Sequence, residues 1–170
     1  MFPIRSSTRL RGFDYGQSAA YFITLCVDGR PAILGQLHHG EVLLSPAGEI
    51  VREEWTNTPL VRPGIHLDEW VIMPDHFQAL VFIDEDRHRP PGGVGAHRSA
   101  PGPSIRFQRP ARTIGSFIAQ FKSRTTTRIN IIRGTPSARV WQRGCHDRII
   151  RNEVELDNVR SYIRKNPKQG

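Results

Sequence analysis

The sequence predicts an α+β fold, an antiparallel sheet with helices packed against it. Strand-like runs are joined by hairpin connections and do not alternate with helices at the even spacing of βαβ units. Two long stretches repeat their apolar residues at helical spacing. The order reads β–β–α–β–β–α–(β)–α, with no internal repeat.

Tyr21-Phe22-Ile23-Thr24-Leu25-Cys26-Val27 is rich in β-branched and aromatic residues and ends at an Asp28-Gly29 turn. Residues 20–27 therefore read as a strand, central because both faces are apolar. A short strand follows at Glu41-Val42-Leu43-Leu44. Ser45-Pro46 starts a helix, with Ser as the cap and Pro in the first turn, where a missing N–H costs nothing. Ile50, Val51 and Trp55 carry its stripe to about residue 58. Leu67–Met73 and His76–Ile83 are strands joined only by Pro74-Asp75, hence an antiparallel hairpin. Residues 84–112 form a Pro/Gly/Arg-rich insertion without periodicity, dispensable for folding on this reading. Ile114, Phe117, Ile118, Phe121, Thr125, Ile129 and Ile132 step by three and four, so 113–131 is an amphipathic helix. Val140-Trp141-Gln142 and Arg148-Ile149-Ile150 are short extended pieces about a Gly144 turn. Asn152 with Glu155 is a capping box, Leu156, Val159 and Ile163 give the last helix its core face, and Pro167 stops it.

With 170 residues, the chain reads as a single domain, 1–170, interrupted by the insertion. Lys and Arg total 24 against 16 Asp and Glu, a net charge of +8, which favours a polyanionic partner, nucleic acid first. No apolar run approaches the ~20 residues of a membrane span, and Met1-Phe2-Pro3-Ile4-Arg5 lacks the apolar core of a signal peptide. Cys26 and Cys145 make neither a disulfide framework nor a zinc site. The expectation is a soluble, cytoplasmic, basic protein with no membrane contact.

Alternation along the hairpin strand puts His76, Gln78, Leu80 and Phe82 on one face. An imidazole and an amide oxygen two residues apart can share one ion, the amide favouring Mg²⁺ or Mn²⁺. Taken alone, they are more simply the exposed end of a strand. Tyr162 and Asn166 share a helix face at i, i+4, a phenol with an amide one turn on. Taken alone, Tyr162 is a boundary aromatic and Asn166 a helix terminus. His146 and Asp147 are adjacent in an extended piece and point to opposite faces, so they make no catalytic pair. Cys145 with His146 fails as a nucleophile on the same geometry. No Walker loop, GxGxxG or HExxH is present.

In order, these pieces resemble the single-tyrosine HUH transposases associated with repetitive extragenic palindromes (REP elements). The matching residues are Tyr21-Phe22-Ile23-Thr24-Leu25-Cys26, Trp70-Val71-Ile72-Met73-Pro74-Asp75-His76-Phe77-Gln78 and Phe121-Lys122-Ser123. They continue through Val140-Trp141-Gln142-Arg143, Ile149-Ile150-Arg151-Asn152-Glu153 and Tyr162-Ile163-Arg164-Lys165-Asn166-Pro167. The resemblance runs from about Gly12 to the C-terminus, apart from the insertion, and six motifs in order are specific where each alone is loose.

It implies a ferredoxin-like or RRM-like sheet of four or five strands, and an HUH endonuclease that cleaves and rejoins single-stranded DNA at the foot of palindromic hairpins. In the family, a Met-Pro-Asn-His-hydrophobic-His strand binds the catalytic metal. Its first histidine maps to His76, while the second position holds Gln78 and the Asn position Asp75, which implies a weakened or retuned site for Mg²⁺ or Mn²⁺. The resemblance carries the nucleophile, through the Tyr-x-x-x-Asn-Pro motif, to Tyr162, with Asn166 as a further metal or phosphate contact; the helix over 113–131, to which some other branches would point, contains no tyrosine. Where the family has an aromatic pair and Glu-His after Trp-Gln-Arg, this chain has Gly144, Cys145, Asp147 and Arg148. Phosphate contacts fall to Arg5, Arg9, Arg11, Lys122, Arg124 and Arg128. The family implies a monomer or a homodimer, partnered by single-stranded or hairpin DNA in transposition and recombination. Gln78 also motivates a non-catalytic hairpin-binding descendant. An RNA-binding module lacks an RNP-type aromatic run.

Overall fold

The computed structural model describes residues 18–84 and 114–168. Its elements are β1 (Ser18–Cys26), β2 (Gly35–His38), β3 (Glu41–Leu44), α1 (Pro46–Thr56), α2 (Thr58–Val61), β4 (Ile65–Met73), β5 (His76–Asp84), α3 (Ile114–Arg133), β6 (His146–Ile150) and α4 (Glu153–Lys165). A 3-10 turn over Asn166–Lys168 follows α4.

β4, β5, β1 and β6 form one antiparallel sheet in that order. Numbered among themselves these strands run 2-3-1-4, the ferredoxin-like arrangement, with α1 and α3 as the two crossovers. β2 and β3 make a separate hairpin, turned by His39 and Gly40, both at positive φ (50° and 78°), as a two-residue turn matched to strand twist requires. β2 was not foreseen: Gly35-Gln36-Leu37-His38 has neither alternation nor β-branched residues. α1 begins as read, with Ser45 Oγ accepting from the Gly48 N–H at 3.2 Å and Pro46 in the first turn.

The sheet separates two cores. Ile23, Leu25, Phe77, Ala79 and Val81 face α1 and α3, where Trp55 packs its ring on Phe77 (4.9 Å between centroids) and Phe121 (5.6 Å). Ala20, Leu80, Phe82 and Ile150 face α4, which covers them with Leu156, Val159 and Ile163. β1 is buried on both sides because it is an inner strand between two packed layers. Ion pairs tie α1 to α3: Arg124 to Glu54 at 2.8 Å, and Arg128 to Glu54 at 2.9 Å and Glu53 at 2.5 Å. The 84–112 insertion, beyond its first residue, lies outside the described residues. No helix among those described is long and apolar enough to cross a membrane.

Candidate active site

The apolar cover of α4 stops short of one end of the sheet, and there the exposed-face positions turn polar. Strand register lines them up in transverse rows. Gln78 on β5 stands opposite Thr24 on β1, and Thr24 opposite His146 on β6. One row on, His76 stands opposite Cys26; one row back, Phe22 lies between Leu80 and Arg148.

α4 brings Tyr162 and Asn166 onto this row. The helix starts where the sequence places it, Asn152 accepting from the Glu155 N–H at 2.9 Å. Glu155 reaches back to the Arg151 N–H at 3.0 Å, one residue outside the usual box. Asn166 Nδ2 donates to Gln78 Oε1 at 2.6 Å. Gln78 Nε2 faces the Tyr162 hydroxyl at 3.4 Å and Thr24 Oγ1 at 3.5 Å. Gln78 is only 6% exposed, whereas Tyr162 is 47% exposed. The Tyr162 ring stands edge-on to Phe22, 6.1 Å between centroids. A buried amide thus holds an accessible phenol by its oxygen, and the packed ring limits where that oxygen can go.

His76 is oriented from its own turn. Its Nδ1 meets Asp75 Oδ1 at 2.6 Å, and Arg30 grips Asp75 Oδ2 at 3.0 Å. Burial alone would raise the Asp75 pKa; the hydrogen bond to His76 and the charges of His76 and Arg30 outweigh it and hold the carboxyl below its ordinary value. With Nδ1 engaged by a carboxylate, Nε2 is the nitrogen left for a ligand.

Beside Tyr162 a groove of about 580 Å³ opens between β6 and α4, lined by Phe22, Thr24, His146, Arg148, Asn158 and Tyr162 among others. Arg148 pairs with Glu155 at 3.3 Å on its wall and stays 60% exposed. His146 and Arg148, two apart on an edge strand, share the groove face; Asp147 between them also borders the groove, with its carboxylate accepting from Cys145 Sγ at 3.4 Å. His146 and Arg148 entered no sequence-based site; their two-residue spacing was visible, but only the strand pairing sets them opposite Thr24 and Phe22.

Of the residues singled out in the sequence, the structure brings Gln78, Tyr162 and Asn166 into contact, with His76 two residues before Gln78 on the same face of β5. It does not bring Lys122, Arg124 and Arg128 to them. α3 lies behind the sheet, Arg124 and Arg128 are paired with α1, and Lys122 Nζ donates to the carbonyls of Gln142 (2.5 Å) and Gly144 (2.7 Å). Arg5, Arg9 and Arg11 lie outside the described residues. Among the described residues no group of three or more His, Cys, Asp and Glu is placed to hold a metal. The donors present are one imidazole and two neutral amides, each amide oxygen having two lone pairs. That set fits a weakly held, oxygen-preferring divalent ion that takes its remaining ligands from phosphate and water.

No protein-family model matches the chain. An uncharacterized protein of Haemophilus influenzae is 29% identical over 163 residues, covering 96% of this chain and 88% of its own length. A solved structure of a REP-associated tyrosine transposase bound to a REP hairpin matches with a TM-score of 0.61 at 16% identity, over 92% of this chain and 71% of that one. The chain shares that transposase's fold.

Proposed function

We propose that this chain binds hairpin DNA with a single-stranded flank and cleaves and rejoins the single strand through Tyr162. The observation that carries the reading is the placement of an exposed phenol on a buried, oriented amide, beside an open groove. Two distant segments, β5 and the run of α4 into the turn after it, converge to make it. The fold shared with a transposase bound to a REP hairpin supports DNA as the partner.

Tyr162 Oη would attack the scissile phosphorus in line. The new P–O bond forms to the tyrosine oxygen as the bond to the 3′ oxygen breaks. The phenol gives up its proton and the departing 3′ oxygen gains one, leaving a 5′-phosphotyrosine and a free 3′-hydroxyl. The phosphodiester bond is exchanged and not hydrolysed, so attack by another 3′-hydroxyl rejoins strands without a nucleotide cofactor. A phenol is mostly protonated at neutral pH, its ordinary pKa being about 10. Gln78 Nε2 orients its oxygen, and Asn166 keeps Gln78 turned that way. His76 Nε2, Gln78 Oε1 and Asn166 Oδ1 would hold a Mg²⁺ or Mn²⁺ ion, which supplies Lewis-acid polarisation of the phosphate. In the groove, Arg148 offers charge to the backbone and Phe22 an aromatic edge to a base.

A labelled single-stranded target with its hairpin, run on a denaturing gel after incubation with Mn²⁺, tests this. Wild type should give a covalent protein–DNA band and Tyr162→Phe should give none while still binding the hairpin. Binding should weaken with salt at a log–log slope of about −0.7 per phosphate contacted on the single strand. The second reading, a hairpin-binding protein that does not cut, is favoured by one observation: the Gln78 oxygen is already taken up by Asn166. Tight hairpin binding with no adduct from wild type would establish it.

A further inference from the structure

α4 meets the sheet in three strips, set by about 100° per residue. Leu156, Val159 and Ile163 form the central apolar strip. Tyr162 and Asn166 flank it on the side of β5 and β1, and Arg160 and Arg164 flank it on the side of β4. The β4 flank meets two consecutive carboxylates, Asp68 and Glu69. A regular strand does not offer such a pair, since successive side chains point to opposite faces.

β4 offers it through a bulge. Leu67 pairs with Val81 and Trp70 with Ala79, so three steps along β4 match two along β5. Leu67 and Trp70 both pack toward the α1/α3 core. The two residues between them, across from Leu80, both reach α4. Asp68 takes Arg160 in a forked pair, Nε at 3.1 and 3.2 Å from the two carboxylate oxygens and Nη2 at 2.5 Å from one. Both side chains are 4% exposed. Glu69 Oε1 takes Arg164 Nε at 2.8 Å and Nη2 at 2.5 Å.

We infer that the bulge and its two arginine pairs are a latch that fixes the register and roll of α4 on the sheet, and thereby seats Tyr162 and Asn166 on Gln78. A buried ion pair adds little net stability compared with apolar residues of similar volume. It is, however, strict about direction, because a guanidinium fork fits a carboxylate in few ways. The apolar strip is not strict: Leu, Val and Ile tolerate a helix that slides by a residue or rolls. One residue of slide is about 1.5 Å along the axis, enough to lift the phenol off the Gln78 amide. Asp68, Glu69, Arg160 and Arg164 are therefore positioning residues. The catalytic consequence rests on the reading of Tyr162 as nucleophile; the structural consequence does not.

The test is the Asp68→Leu/Arg160→Met pair, with Glu69→Gln/Arg164→Met as a milder second variant at an exposed pair. Two readouts are taken: the rate of adduct formation at saturating hairpin DNA, and the NMR cross-peak between the Gln78 side-chain amide and the Tyr162 ring in the DNA-free protein. In the first variant, hairpin affinity should hold, the adduct rate should fall by about a hundredfold, and the cross-peak should disappear. The second should move both readouts in the same direction by less, and it carries the test if the first fails to fold. A wild-type cross-peak with a wild-type adduct rate overturns the latch. A cross-peak lost in the variants, with no adduct even from wild type, sustains the latch and removes Tyr162 as nucleophile.

Discussion

Asn166 Nδ2 donates to Gln78 Oε1 at 2.6 Å, and this contact decides which end of the Gln78 amide meets Tyr162. With its oxygen held by Asn166, the amide presents Nε2 to the phenol oxygen at 3.4 Å. Asn166→Ala removes the donor and lets the amide turn. Hairpin affinity should stay the same and the rate of adduct formation should fall about tenfold, read on the same denaturing gel. An unchanged rate would mean that the orientation of Gln78 is immaterial.

Gln78→His replaces a neutral amide oxygen with an imidazole, a stronger ligand for Mn²⁺. Adduct yield at limiting Mn²⁺ should rise above wild type. The cost is packing: Gln78 is buried among Thr24, Tyr162 and Asn166, so thermal unfolding should begin somewhat earlier. No gain at any Mn²⁺ concentration would count against position 78 as a ligand.

Asp75 should fix the tautomer of His76. Nitrogen NMR on the metal-free protein should show His76 protonated on Nδ1 in wild type, and a mixture of tautomers in Asp75→Ala. The same change frees Arg30, an exposed partner whose loss costs about 0–1 kcal/mol. A single Nδ1-protonated tautomer in Asp75→Ala would show that something else holds the ring.

Gly48 lies against the loop before β2, and a Cβ built on it would sit 2.0 Å from the Leu34 carbonyl oxygen. Backbone cannot move aside as a side-chain tip can. Gly48→Ala should destabilise by about 1–3 kcal/mol or more by denaturant titration, although alanine is the better helix former. A stabilised variant would show that α1 is free to shift away from that loop.

Burial pushes the Cys145 thiol up, and its hydrogen bond and charge contact with Asp147 add to this against the opposing pull of Lys122. A thiol with its folded pKa raised contributes stability below its unfolded pKa and loses it as pH rises through the folded value. Alkylation of Cys145 should therefore have its midpoint above the ordinary thiol range. In Asp147→Asn it should shift down. Cys26 is buried and should stay silent in that assay.

The sequence was most legible where periodicity is strong. β1, the β4–β5 hairpin, α1, α3 and α4 stood within two residues or so of their bounds, because each carries an uninterrupted apolar pattern or a cap. β6 was read only from Arg148, since its first residues are exposed on both faces of an edge strand and leave no alternation to find. The bulge in β4 was invisible, because Asp68 and Glu69 look like an ordinary polar step until the pairing register is known. The same limit applied at the site. His76, Gln78, Tyr162 and Asn166 could be singled out from spacing and resemblance, yet Thr24 and His146 join them only through cross-strand register. For Arg124 and Arg128 the sequence showed two charges and concealed their partners on α1.

Among the described residues, the side chains that meet Gln78 are Thr24, Tyr162 and Asn166, and α4 carries the last two by folding back onto its own sheet. Stoichiometry follows from that closure. Under our reading one molecule carries Tyr162 and the amide that orients it, so the rate of a single cut should scale in direct proportion to protein concentration below saturation. Freeing a DNA segment takes a break at each of its two ends, and simultaneous breaks would need two molecules. The yield of excised segment should then rise with the square of concentration where the yield of nicks rises linearly.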